Sequence, residues 1–481
     1  MKVDFAGSTR RDPDNRGANS ARLVNCYREP LGGRSQMVLK RVPGLVEFGT
    51  TGAAFLRAMA VVDGEIYTVA SGTLYRVTVD GRTETIGSVD DDENTAISGN
   101  NGAVTVTANG KYYLWDGTTL SQPTTGALST VGSVTYLGFR TILTEKDGRA
   151  VQWSTINSGV PEPQTMNALD FASAEQTDDN IVRAVASGSL MYVFKERSTE
   201  IWGVGTDGPI FLAGRVWDVG LKSFNLVCEM PEGVFFVGHD GIAYIASGGS
   251  RQPVSPKPID TAINQGRPTH CTYHAVEGAK FLTIRFSDRA SWVFDIGSGE
   301  WHERALGVNH EPWPIVATVN AHAGYFAGSL YGDLGEFANY PYDLGQLVVC
   351  EATSRTFEGE RDRFRIREIE FQGRVGVAPL GLTEIVTLMD SDEALVLAEG
   401  DLPLGIGGGL GSEVPQVEMF TSGDYGLTWD APRRQNFGEL GDYDHRIVFG
   451  PLGQFRQFTA RLRWSNIADT PIDAEAYLEA L

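Results

Sequence analysis

The feature that most constrains this chain is a unit of short β-rich runs that repeats along most of its length. From Arg57 the runs RAMAVV, GEIYTVA, TLYRVTV and TETIGSV follow one another, with breaks at Asp63-Gly64, Ser71-Gly72 and Asp80-Gly81. Asp-Gly between such runs predicts a type I′ hairpin turn, because that turn needs positive φ at both central residues. In TLYRVTV, Tyr75, Val77 and Val79 alternate with Arg76 and Thr78, the period of a strand with one buried face. The pattern returns over residues 94–121, 131–156, 181–216, 225–254, 270–304 and 314–338. A period of about 30–45 residues with about four strands each is that of a β-propeller. One such unit has too little apolar surface to stand alone, and packing units around an axis buries it.

Seven units are counted, with six blades as the alternative if one weak unit is a bridging insertion. The last unit offers three strands, so the run KRVPGLVEF, residues 40–48, is expected to complete it and close the ring. After residue 345 the texture changes to longer alternating runs such as RFRIREIEFQG and FRQFTARLRWS. The expected fold is therefore all-β. It comprises an N-terminal arm over residues 1–38, a propeller over 39–345 and an antiparallel β-sandwich over 346–481.

Net charge is -21 and the pI is near 4.8. Binding to nucleic acid relies on clustered Lys and Arg that release counterions, so this balance argues against it. It argues equally against an anionic membrane surface. An acidic wall still suits a conduit along which DNA slides without sticking. Cys26, Cys228, Cys271 and Cys350 are far apart and are read as buried reduced thiols. The first residues, MKVDFAGSTRRDPDNRG, lack the apolar core of a signal peptide, and no apolar run approaches the about 20 residues of a membrane span. Synthesis in a cytoplasm and no membrane insertion are the expectations.

Candidate chemistry is sparse. SGDYGLTW, residues 422–429, has the S-x-D-x-G-x-T-W form of an Asp-box. In it Asp424 would accept backbone hydrogen bonds, Gly426 would supply permissive φ, Ser422 and Thr428 would pin the flanks, and Trp429 would pack beneath. The motif appears once and outside the repeats, so a structural turn is favoured over a sugar site. His270 and His274 in HCTYH share a strand face, but no second ligand pair supports a metal. The run Asp90-Asp91-Asp92-Glu93 reads as a solvated loop between units, with pore lining as the alternative. PLGIGGGLG, residues 403–411, is not followed by Gly-Lys-Ser/Thr and reads as a surface loop. No catalytic, cofactor-binding or metal residues are assigned, no cofactor is expected, and the chain is not read as an enzyme.

Several phrases occur in order along the chain: VPGLVEFG (42–49), ALDFASAEQTDDNIV (168–182), STEIW (198–202), WVFDIGSGEWHER (292–304), GSLYGDLGEF with YDLG (328–345), and ELGDYDHRIVFGPLGQFRQFTARLRWS (439–465). Together they resemble the packaged-DNA stabilisation proteins, or tail hub (nozzle) proteins, of short-tailed bacteriophages. Asp179, where that family's pattern has a proline, a short arm and the Gly-rich loop depart from it. The resemblance implies a structural virion protein of the tail, made in the host cytoplasm. It further implies a homo-hexameric ring below the portal and its adaptor, or head-tail connector. That ring closes the DNA channel after packaging, conducts DNA on ejection without sequence-specific contacts, and carries tail fibre, tailspike or needle components. The Asp-box motivates the alternative, a carbohydrate-binding or glycoside-cleaving propeller of the tail-depolymerase kind.

Overall fold

The computed structural model describes residues 2–5, 21–30, 37–100, 102–156, 165–204, 210–359, 363–375, 386–390, 393–397, 415–438, 444–466 and 469–480. The described chain is all-β apart from one helix, Lys257–Gln265, which buries Ile259, Ala262 and Ile263. It divides into two compact units, one of residues 46–293 and 312–337, the other of residues 1–45, 294–311 and 338–481.

The first unit is the ring that the repeats imply. Five sheets each take four consecutive strands. They begin with Leu56–Val62, Ala96–Asn100, Val131–Leu137, Ile181–Ser187 and Val227–Met230. A sixth begins with Pro268–Val276, Ala279–Phe286 and Ser291–Asp295. These six blades of consecutive strands are followed by a closing sheet, in which Ile315–Ala321, Gly324–Ser329 and Asp333–Ala338 are joined by the early strand Gly44–Thr50. The seven units counted in the sequence are these six and the closing sheet. The first strand of each sheet packs beside the first strand of the next, and Ile315–Ala321 returns to Leu56–Val62.

Turn chemistry sets the strand ends. Asp63 and Gly64 have φ of 51° and 83°, and Ser71 and Gly72 have 43° and 71°, the double positive φ that a type I′ turn demands. Gly81, at φ 80°, has a second constraint, because a Cβ there would collide with the carbonyl oxygen of Phe48 on the closing strand. Apolar seams hold neighbouring sheets together. Val62, Val69 and Leu74 of one sheet meet Val104 and Val106 of the next. Leu56, Ile66 and Val77 meet Val316, Phe326 and Leu334 where the ring closes. Phe194 lies 4.9 Å from Phe236, which stacks 5.2 Å from Tyr244.

The second unit contains two largely antiparallel sheets. One runs Lys2–Asp4, Glu475–Ala480, Phe364–Gly373, Ile472–Asp473, Met37–Arg41 and Cys26–Pro30, with His445–Phe449 and Gly453–Phe455 also paired to Phe364–Gly373. In this unit the other sheet runs Glu300–Leu306, Arg22–Val24, Cys350–Thr353, Gln457–Trp464, Gln416–Ser422 and Arg433–Asn436. The described parts of the arm expected over residues 1–38 are thus strands. Arg22–Val24 pairs with Cys350–Thr353, and Lys2–Asp4 with Glu475–Tyr477. The physical reason is that Val3, Phe5, Leu23, Val24 and Cys26 are buried there, by partners more than 300 residues away in sequence. Residues 294–311 join the same unit, so its division of the chain differs from boundaries at 38 and 345. The Gly-rich loop 403–411 lies outside the described residues.

Candidate functional site

The first strands of all the sheets surround a cavity of about 660 Å³ on the axis of the ring. That volume falls in the ~300–1,000 Å³ range of small-ligand pockets. Its polar lining includes Arg57, Arg183, Asn225, Glu229 and His270. Arg57, Arg183, Glu229 and His270 lie on the strands Leu56–Val62, Ile181–Ser187, Val227–Met230 and Pro268–Val276, and Asn225 lies just before Val227–Met230.

Arg57 is neutralised by a forked pair with Asp91, at 2.8 and 3.2 Å. Arg183 is not. Its Nη1 donates to the carbonyl oxygen of Phe224 at 3.2 Å and to Asn225 Oδ1 at 3.5 Å, and its guanidinium lies 4.8 Å from the Phe224 ring. Its Nε is buried without a hydrogen-bond partner among the described residues. Burial pulls Arg183 down to about 10, against the attraction of Glu229. Glu229 is exposed by surface area and lines the cavity. Loss of bulk water raises its carboxyl to about 7, with Arg183 opposing. His270 has a buried, unpartnered Nδ1 and is held near 3 by burial and by Arg285, Arg183 and Arg57. It is therefore neutral at physiological pH. Burial pushes the thiols of Cys228 and Cys271 well up, so both stay protonated.

A second polar cluster is structural. Lys195 is fully buried, and its Nζ donates to the carbonyl oxygens of Ala174 and Thr177, at 2.9 and 2.7 Å, and lies 3.2 Å from Asp179. Burial works against the charge on Asp179. Hydrogen bonds from Thr177, the Arg197 N–H, Ser198 and Lys195 outweigh it and hold the carboxyl at about 2. The residue that departs from the family pattern thus anchors one end of a buried clasp.

The Asp-box lies in the connection between the paired strands Gln416–Ser422 and Arg433–Asn436. Asp424 Oδ1 accepts the N–H groups of Leu427 and Thr428 at 3.1 and 2.9 Å, and its Oδ2 accepts the Thr428 hydroxyl at 2.6 Å. Gly426 has φ 78° and donates its N–H to Ser422 Oγ. Trp429 carries the guanidinium of Arg461 at 4.2 Å from its ring centroid. Arg461 leads on to the buried Glu351, which lies within 4 Å of Arg22, His310, Arg461 and Arg463. Arg22 in turn forks onto Glu303. The motif is a hairpin tip stacked on a buried ion network.

The other sequence candidates are dispersed. His274 stacks on Phe337 with ring centroids 3.9 Å apart, while His270 lines the axial cavity. Among the described residues no group of three His, Cys, Asp or Glu side chains could hold a metal ion. The acidic run is tied down locally, with Asp90 accepting from Tyr113 and Lys111, Asp91 from Arg57, and Asp92 from the Asn94 and Asn109 N–H groups. Cys26, Cys271 and Cys350 are buried and Cys228 is half-buried, all as free thiols. Sequence reasoning passed over Arg57, Arg183 and Glu229. The available signal was a charged residue inside the first strand of a repeat, as in IVRAVAS and NLVCEM.

Sheets set around an axis and closed by a strand from earlier in the chain define a β-propeller protein. Residues 11–339 match the family described as bacteriophage P22 Gp10, beta-propeller. The chain belongs to that family and is, in general terms, a phage structural protein. No curated protein matches it. Among solved structures it is similar to the Neurospora crassa Pan2 WD40 domain, at 9% identity and TM-score 0.42, over 61% of this chain and 94% of that one. It is also similar to the RRP9 WD40 repeats, at 10% identity and TM-score 0.41, over 62% of this chain and 99% of that one.

Proposed function

We propose that this protein is a tail hub, or nozzle, of a short-tailed phage. Copies assemble as a ring of six below the portal and adaptor, close the DNA channel after packaging, and conduct DNA on ejection. The same ring offers attachment to fibre, tailspike or needle components. The observation that carries this reading is the family match over residues 11–339. The net charge of -21 supports it, because a channel walled by such copies makes few counterion-releasing contacts with phosphates. The axial cavity of about 660 Å³ is of small-ligand size, so DNA would pass between copies rather than through one propeller. Symmetric electron-microscopic reconstruction of assembled particles tests the proposal. A six-fold density for this chain on the tail axis is the expected result, and its absence there overturns the reading.

A second reading rests on a groove of about 850 Å³ between the first two blades, lined by Tyr67, Tyr113 and Trp115 with Thr118, Thr119 and Glu84. Trp115, the part-exposed aromatic of the three, beside the hydroxyls of Thr118 and Thr119 suits a sugar ring, while Tyr67 and Tyr113 are largely buried. Glu84 is the one carboxylate in that lining, whereas glycoside cleavage generally needs a pair. Binding without turnover is the form this reading takes, and a glycan array on the purified protein decides it.

A further inference from the structure

We propose that the axial cavity of the propeller binds a small oxyanion of the phosphate or carboxylate class, gripped by Arg183 with His270 beside it. The inference does not depend on the tail-hub reading. Its first ground is Arg183 itself. Among the described residues no carboxylate pairs with this enclosed guanidinium, and its Nε has no partner. A buried donor left unmade costs free energy, and such orphans point to a missing partner. Arginine presents its donors as a planar fork that matches an oxyanion edge. The second ground is His270, whose Nδ1 is also buried and unpartnered on the same cavity wall. The third is the volume, about 660 Å³, which admits a molecule of the size of citrate as well as phosphate.

Glu229 sets the terms of binding. The titratable and charged groups facing this space are Arg57, Arg183, Glu229 and His270, the thiols of Cys228 and Cys271, and the phenols of Tyr136, Tyr273 and Tyr325. Arg57 is already satisfied by Asp91, the thiols of Cys228 and Cys271 and the phenols of Tyr136 and Tyr273 are held protonated by burial, and His270 is neutral. Glu229 is the anion that competes with an incoming one. Below pH 7 it takes up a proton, and the cavity gains positive charge. Anion binding should therefore tighten on going from pH 8 to pH 6.

Isothermal titration calorimetry of the full chain tests this, using inorganic phosphate and citrate against chloride at matched ionic strength. Saturable binding at one site per chain is expected for at least one of the two probes. Arg183→Gln should weaken it tenfold or more, and Arg183→Lys severalfold. Glu229→Gln should tighten it severalfold at pH 8 and leave it nearly unchanged at pH 6. Heats no different from chloride overturn the proposal, as does binding that Arg183→Gln leaves intact. Should Arg183→Gln not fold, Glu229→Gln carries the test, and an unchanged affinity at pH 8 counts against the site.

Discussion

Glu351 is almost wholly buried, yet it has three arginines and a histidine around it. Each arginine also touches something else, Arg22 through Glu303 and Arg461 through the faces of Trp429 and Phe420. Removing the central anion would leave those cations facing one another out of water. Glu351→Gln should cost about 3–5 kcal/mol, read from the shift of the urea midpoint, since breaking a buried pair strands its partners. Asp424 sits at the outer end of the same chain of contacts. Asp424→Ala removes the acceptor for two backbone N–H groups and a hydroxyl, and should lower the melting temperature without affecting the blades. An unchanged melting profile would contradict that. The motif's local hydrogen bonds were legible in SGDYGLTW, because every partner lies within a few residues. Its stacking on Arg461 was not, because the arginine comes from a strand more than 30 residues later.

At the scale of strands and sheets, the ring depends on the seam where its two ends meet. Leu56 is 1% exposed and packs there with Val316, Phe326 and Leu334. Leu56→Ala should cost about 2–5 kcal/mol, because the removed methyls leave a cavity that the surrounding sheets cannot fully collapse. Hydrogen exchange would place the loosening in Gly44–Thr50 and Ile315–Ala321. Exchange confined to surface turns would contradict the assignment. The closing strand was legible in KRVPGLVEF because the last repeat lacked one strand. The strands Arg22–Val24 and Lys2–Asp4 were not, since three residues among arginines, asparagines and glycines carry no period. Only distant partners reveal them. Arg183 was hidden for a related reason. An arginine in IVRAVAS reads as the solvent side of a strand until the axis is known to lie on that side.

For the whole molecule, stability should depend on pH through His270, His302 and the cavity-lining Glu229. His270 and His302 are both held near 3, chiefly by burial, against an ordinary value of 6.5. Unfolding lets them take up protons, so the folded state loses ground as pH falls from 6.5 toward 3. Glu229 works in the opposite sense. Its carboxyl is raised from 4.5 to about 7, so its ionisation disfavours the folded state progressively as pH rises through that window. Glu229→Gln should therefore be more stable than the parent at pH 8 and equal to it at pH 4, as measured by urea midpoints at each pH. Equal midpoints at pH 8 would show that the carboxylate is solvated.

The closing strand Gly44–Thr50 also has a bearing on synthesis. It leaves the ribosome almost 300 residues before its neighbour Asp333–Ala338. At about 5–20 residues per second that is roughly 15–60 s. Arg22–Val24 waits longer still, for Cys350–Thr353. Throughout that interval the early edges have no mates, while the intervening blades can already stack. A prematurely terminated polypeptide would remain an unsealed horseshoe, with a sticky margin for chaperones and proteases to recognise. Closure of the ring is thereby tied to synthesis having passed residue 338.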